Sequence, residues 1–217
     1  MRYLPVSLDL VGRRTIVVGG GSVAARKASS LLAAGASVRV VAGEIGSELR
    51  ELAASQNSLE IVERDYQAGD LADVLLAFAA TDDRSVQKAV SQEASERGVL
   101  LNVVDEPEAC SFVMPAMLEL GRVTVAVSTG GASPALAQRI RDEIAGTLGP
   151  EYGTAAEVMA SLRLRFERGP ARAQAFTRLL QSGLLEALKR GDPARVERMT
   201  DSVCAGLTER PRQGDGK

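Results

Sequence analysis

Apolar positions in the first half of the chain fall into short β-branched runs separated by stretches of helical composition. Residues 15–19 (TIVVG) form the first run, apolar after Thr15, the pattern of a strand buried on both faces. Residues 22–34 follow as a helix, and Gly35 supplies its stop. A second strand is expected over 37–42 (SVRVVA), a helix over 44–55, a third strand over 59–63 (LEIVE) and a fourth over 74–79 (VLLAFA). A helix with acidic residues at its start covers 82–97, Gly98 ends it, and 99–104 (VLLNVV) is a fifth strand. Repeated βα units of this length predict an α/β fold with a parallel sheet covered on both faces.

After Asp105 the pattern changes. Residues 112–119 and 122–129 read as two strands joined through Gly121. Pro134 then opens a helix running to about Gly146, with Leu136, Ile140 and Ile144 on one face. From Tyr152 onward the chain reads as helix: 152–168, 171–190 with a weak point at Ser182-Gly183, and 193–207. The expected division is an α/β domain over 1–112, a small β+α segment over 113–149 and an all-helical C-terminal domain over 150–207. A polar tail over 208–217 is expected to be disordered.

Composition narrows the chemistry. The chain has 217 residues, 45% hydrophobic and 25% charged, and no histidine. A mechanism that needs an imidazole is therefore excluded, and any general acid or base is a carboxylate, Lys, Tyr or Cys. With aromatic residues at 3% and no Trp, stacking platforms for single-stranded nucleic acid lack material. Net charge is −2, which also argues against a nucleic-acid partner. Residues 1–112 carry 11 Lys and Arg against 16 Asp and Glu, whereas 113–217 carry 15 against 12, so the second half is mildly basic and suits an anionic ligand. Cys110 and Cys204 have no CxxC spacing and make no disulfide framework. The N-terminus lacks a signal-peptide pattern, and no apolar run reaches the roughly 18 residues of a membrane span, so a reducing cytoplasm is the expected compartment.

Four constellations carry candidate chemistry. Gly19-Gly20-Gly21-Ser22-Val23-Ala24 fits G-x-G-x-x-A directly after the first strand. In a Rossmann-like domain Gly19 makes the sharp turn, Gly21 lets backbone approach a pyrophosphate and Ala24 lets the helix pack closely. Free amides at Ser22 and Val23 receive the phosphates. About 20 residues on, where an acidic residue holds the NAD ribose, stands Val41-Ala42-Gly43-Glu44. Glu44 is either that ligand or a residue of the next helix's first turn. No Arg stands in that loop for a 2′-phosphate, so NAD is favoured over NADP. The second constellation is Ala79-Ala80-Thr81-Asp82-Asp83: Thr81 is placed to face the cofactor, and the two Asp suit helix capping. The third, Asn102-Val103-Val104-Asp105, sets a carboxylate at the carboxyl end of the fifth strand, as either a proton acceptor or an ordinary turn residue. The fourth, Ser128-Thr129-Gly130-Gly131-Ala132-Ser133-Pro134, places hydroxyls and glycines at a helix start, either an anion seat or a plain Ser cap. Arg139, Arg141 and the group Arg163, Arg165, Arg168 and Arg172 are either carboxylate ligands or solvated faces.

In order along the chain, Leu4-Pro5-Val6, residues 17–27 (VVGGGSVAARK), 79–83 (AATDD), 102–105 (NVVD), 111–115 (SFxxP) and 128–134 (STGGASP) resemble the precorrin-2 dehydrogenases, the N-terminal modules of siroheme synthases. The resemblance covers about residues 3–145. It implies NAD-dependent oxidation of precorrin-2 to sirohydrochlorin, on the way to siroheme or a cobalt corrinoid. It implies a homodimer in which residues 113–149 exchange between protomers, with the active site near that interface. The family's essential carboxylate falls on Asp105, and a position that carries a modifiable serine in the family is Thr129 here. Asn102, Ser128, Thr129, Gly130, Gly131 and Ser133 are the matching candidates for binding a substrate with eight carboxylates. Some relatives also insert a metal, which would make Fe2+ or Co2+ a second substrate; no resident metal site is expected. The competing reading is a non-catalytic NAD-binding module that senses redox state as a dimer.

Overall fold

A computed structural model describes residues 3–209, which form two compact units meeting in sequence at Met114 and Pro115. The first unit is a five-stranded parallel sheet in the order β3-β2-β1-β4-β5. Its strands are β1 (Arg14–Val18), β2 (Ser37–Ala42), β3 (Leu59–Glu63), β4 (Leu76–Ala79) and β5 (Leu100–Val103). Helices α1 (Ser22–Ala33), α2 (Ser47–Ser55) and α3 (Arg84–Arg97) connect them. β1 is the central strand of the sheet: Val17 lies between Val40 of β2 and Phe78 of β4.

The period-two geometry of strands sorts the apolar runs onto two faces. Val17, Val40 and Phe78 pack with Ala24, Ala28 and Leu31 of α1 and Leu49 of α2. Ile16, Val18, Ala77 and Leu101 pack with Val90 and Ala94 of α3. The alanines of α1 explain its close seat on the sheet, since Ala24 and Ala28 are fully buried. α2 begins three residues later than the pattern suggested. Gly46 is extended (φ −70, ψ 162) and its N–H donates to Gly20 O at 2.9 Å, so the 43–46 segment serves the glycine turn instead of a helix.

Two polar arrangements hold this unit together. Glu93 of α3 is buried, and its carboxylate accepts from Tyr66 Oη at 2.5 Å, Arg97 Nε at 2.6 Å and Gly69 N at 3.0 Å. Arg64 donates from both terminal nitrogens to Asp70, at 2.8 and 2.6 Å, and Gln67 N donates to the same carboxylate. Together they fix the connection between β3 and β4. Among the described residues no sixth strand pairs with the outer edge of β5. Ser111 Oγ accepts from Leu101 N at 2.7 Å, Cys110 Sγ accepts from Val103 N at 3.2 Å, and Asn102 Nδ2 donates to Phe112 O at 3.1 Å. These three side chains stitch residues 110–112 along that edge.

The second unit starts with an antiparallel pair, β6 (Ala116–Leu120) and β7 (Val123–Val127). It continues with α4 (Pro134–Ala145), α5 (Glu151–Arg165), α6 (Pro170–Gln181), α7 (Leu184–Lys189) and α8 (Pro193–Cys204). β6 starts four residues later than expected because 110–112 belong to the β5 edge. The apolar stripe expected on α4 is only partly realised: Ala137 is buried, Ile140 and Ile144 are half-buried, and Leu136 is 51% exposed. The weak point at Ser182-Gly183 is a full break, because Gly183 takes a left-handed conformation (φ 92) between α6 and α7. The hairpin and the helices pack against one another within this unit. Gly153 of α5 lies on the β6–β7 turn, where a side chain would overlap Leu120 O. Phe166, Leu179, Leu184 and Cys204 form the helical core.

Residues 208 and 209 of the expected disordered tail are tied back. Glu167 N donates to Thr208 O at 3.0 Å, and the Glu209 carboxylate accepts from Arg165 at 2.7 Å. The rest of that tail, 210–217, lies outside the described residues. Among the described residues, no helix is long and apolar enough to cross a membrane.

Candidate functional site

The glycine turn stands at the carboxyl end of β1, beside the strand-order switch between β1 and β4. Two of its three glycines are sterically required. Gly19 has φ 136, and a Cβ there would overlap Ala80 O; a Cβ at Gly20 would overlap Glu44 O. The pattern G-x-G-x-x-A accepts any residue at the second position, but the approach of Glu44 O admits only Gly there. Gly21 is different: a Cβ there would meet nothing within 4 Å. It is the N-cap of α1 with no side-chain cap, and no acidic residue stands in the first turn. The leading amides of α1, at Ser22, Val23 and Ala24, thus face the turn with the positive end of the helix dipole behind them. Backbone amides left free at a helix start are groups that an anion such as a diphosphate can meet.

Glu44 lies in the loop ahead of α2, exposed, and not in that helix's first turn. Gly43 faces the Asp65 carboxylate, since a Cβ at Gly43 would stand 2.7 Å from Asp65 Oδ1. Asp65 belongs to none of the four constellations that the sequence offers. It follows β3 as Gly43 follows β2, so the parallel register was the signal that could have found it. The nearby cations are engaged: Arg39 pairs with Glu60 at 2.8 Å and Arg64 with Asp70 at 2.6 Å.

Thr81 is half-buried beside Gly19, and its hydroxyl accepts from Asp83 N at 3.2 Å. Asp83 is the N-cap of α3, accepting from Ser85 N and Val86 N. Those bonds hold its carboxyl below the usual range, the Ser85 hydroxyl contributing most. Asp105 stands two residues past β5, exposed, at φ 61. Left-handed backbone is uncommon for a side-chain-bearing residue but open to Asp. No hydrogen bond or ion pair forms to its carboxylate among the described residues. Its neighbour Glu106 is paired with Arg84 at 2.8 Å.

Asn102 does not point a free amide outward; it holds Phe112 O and approaches Cys110 Sγ at 3.5 Å. In the second unit, Ser133 caps α4, accepting from Leu136 N at 3.2 Å. Thr129 Oγ1 both accepts from Ser133 N and donates to Ser133 O, at 3.0 Å each, and Ser128 Oγ accepts from Gly130 N. Gly130 and Gly131 face open space. Several of the candidate arginines are occupied: Arg139 pairs with Glu143, Arg141 with Asp142 and Arg165 with Glu209, while Arg172 donates to Phe166 O. Both cysteines are free and buried. Among the described residues no cluster of three or more His, Cys, Asp or Glu is placed to hold a metal ion.

The chain is similar to the siroheme synthase of Pseudomonas aeruginosa (strain LESB58), 40% identical over 210 residues, covering 95% of this chain and 45% of that protein. It is similar to the siroheme synthase of Chromobacterium violaceum, 39% identical over 215 residues, covering 97% of this chain and 46% of that protein. The chain therefore spans a little under half the length of these relatives. Among solved structures it resembles "SirC, precorrin-2 dehydrogenase", with a TM-score of 0.75 and 27% identity over 90% of this chain and 100% of that one. Residues 121–147 match the family described as sirohaem biosynthesis protein central. A second family pattern, described as putative NAD(P)-binding, matches residues 6–116 and so takes in every element that shapes the glycine turn. The chain belongs to this putative NAD(P)-binding family.

Proposed function

We propose that this chain is a precorrin-2 dehydrogenase that uses NAD and gives sirohydrochlorin. The observation that carries the reading is the likeness to a precorrin-2 dehydrogenase over the whole of that chain, joined to a glycine turn followed by a helix start with no side-chain cap. NAD, when bound, accepts a hydride. The chain's residues do the rest. Amides of Gly21, Ser22, Val23 and Ala24 receive the diphosphate, with Gly19 shaping the turn. Gly43 and Glu44 flank the adenosine ribose, with Asp65 beside them. Two carboxylates there, with the nearby Arg39 and Arg64 already paired, favour a ribose hydroxyl over a 2′-phosphate. Thr81 borders the nicotinamide end.

Losing a hydride from precorrin-2 must be matched by loss of a proton for charge to balance. Asp105 is the proton acceptor in this reading: it stands two residues past β5 and, among the described residues, has no partner to compete for its lone pairs. Ser128, Thr129, Gly130, Gly131 and Ser133 are read as the seat for substrate carboxylates, with Asn102 supporting the β5 edge beside Asp105. A homodimer is part of the proposal. Met117 on β6 and Leu136 on α4 leave apolar surface that a second copy would cover. Two buried free thiols fit a reducing cytoplasm.

Anaerobic incubation of the purified protein with enzymatically made precorrin-2 and NAD tests this directly. The expected result is NAD-dependent conversion to the sirohydrochlorin absorption spectrum. NAD binding without conversion would overturn the proposal and leave the redox-sensing module as the reading.

A further inference from the structure

Lys27 is an anomaly in the first unit. It sits on α1 three residues after Ala24 and four before Leu31, in the stripe that packs on the sheet, and it is half-buried. Its ammonium lies 5.0 Å from the centroid of the Phe78 ring. No carboxylate stands within ion-pair distance of it among the described residues. Burial lowers its pKa, and the neighbouring charge of Arg26 lowers it further, with Cys110 acting in the opposite sense. A cation held in partial burial without an anion is costly, and a ring face offsets only part of that cost.

Its surroundings give the site a direction. Phe78 neighbours Asn102 in the β4–β5 register, and Phe112 meets Phe78 edge to face at 5.5 Å. Lys27 thus looks onto the β4–β5 side of the sheet, next to the strand whose end carries Asp105. The diphosphate seat is elsewhere: it lies at Ser22, five residues earlier, or about 7.5 Å along the helix axis. A polar head turned out to solvent would be the ordinary arrangement for a long surface Lys. Here the head is kept over a buried ring.

We propose that Lys27 is a substrate-binding residue that takes one carboxylate of the anionic macrocycle on the β4–β5 face, so fixing which edge of the ring approaches Asp105. The inference rests on the dehydrogenase reading for the identity of the substrate, and on the unpaired cation for the site.

Lys27→Met keeps the stem over Phe78 and removes the charge; Lys27→Arg keeps the charge. With Lys27→Met the KM for precorrin-2 should rise about tenfold, the size of one charge-assisted contact, while kcat and the Kd for NAD stay within twofold. Lys27→Arg should recover most of the loss. Binding of uroporphyrin, a stable tetrapyrrole octacarboxylate, followed by fluorescence quenching, should weaken by a similar factor in Lys27→Met. Circular dichroism and thermal melting verify that each variant is folded, and Lys27→Gln repeats the comparison should the Met variant not fold. Unchanged KM and unchanged uroporphyrin affinity would overturn the proposal, as would a loss confined to NAD binding. Should the unaltered protein fail to oxidise precorrin-2, the dehydrogenase reading falls, and the uroporphyrin titration still decides whether Lys27 holds a carboxylate.

Discussion

The N–H of Gly46 donates to the carbonyl of Gly20 at 2.9 Å, joining the first βα turn to the second. The same closeness leaves no room for a side chain at Gly20, whose Cβ would run into Glu44 O. Gly20→Ala must therefore push two backbone segments apart. We expect a loss of about 1–3 kcal/mol in stability and a drop of at least tenfold in NADH affinity. Urea unfolding and a fluorescence titration of NADH measure the two. A variant with unaltered NADH affinity would show that the stitch does not shape the diphosphate seat.

Asp105→Asn keeps a residue that tolerates left-handed backbone and removes only the proton-accepting charge. Turnover of precorrin-2 should fall by about 100-fold or more, with NADH affinity unchanged. Equal turnover in the variant and the parent would exclude Asp105 as the base.

Stability should fall in acid. The Arg64 hydrogen bonds hold Asp70 below the usual carboxylate range. Burial pushes Glu93 up, but Tyr66, Gly69 N–H and Arg97 together outweigh it and hold Glu93 low as well. Groups with depressed folded values stabilise fully above their unfolded values, near 3.9 for Asp and 4.3 for Glu, and lose that contribution as pH falls below about 4. Urea midpoints should be level from pH 7 to 5 and decline below it. Glu93→Gln should lower the midpoint at pH 7 and reduce the acid slope.

The alkaline side depends on Tyr66. Burial first, and the Glu93 carboxylate second, push its phenol well above the usual range. A raised value stabilises below the unfolded pKa of about 10 and is lost as pH rises beyond it. Tyr66→Phe should cost about 1–2 kcal/mol at pH 7 through the lost bond to Glu93. It should also flatten the decline in urea midpoint between pH 9 and 11.

In the second unit, Gly153→Ala places a methyl group against Leu120 O. The expected cost is about 1–3 kcal/mol, read as an earlier thermal transition, with NADH affinity unchanged because the glycine turn belongs to the first unit. An unshifted transition would mean that α5 and the hairpin turn move apart freely.

Periodicity and glycine placement made the sheet legible. β2 and β3 fall on the expected residues, and the motif at 19–24 opens α1 as its spacing implied. The resemblance to precorrin-2 dehydrogenases, read from six short motifs, agrees with the relatives found by comparison. What the sequence hid was long-range. Nothing local distinguishes a Gly20 pressed on Glu44 from a free position, or an Asn102 spent on Phe112 from one facing a ligand. Asp65 reaches Gly43 only because β2 and β3 run in parallel register. Lys27 did leave a local trace, a charged residue inside the apolar stripe of α1, and the helical period could have flagged it.

The seam along β5 bears on how this sheet behaves in company. A strand at the end of a sheet offers its unpaired amides and carbonyls to any passing extended segment. Here Ser111 and Cys110 occupy the amides of Leu101 and Val103, and Asn102 pins Phe112 over them. That flank is closed to recruitment, so among the described residues the β3 flank is what the sheet leaves, during folding and at high concentration, for a foreign strand to grow on.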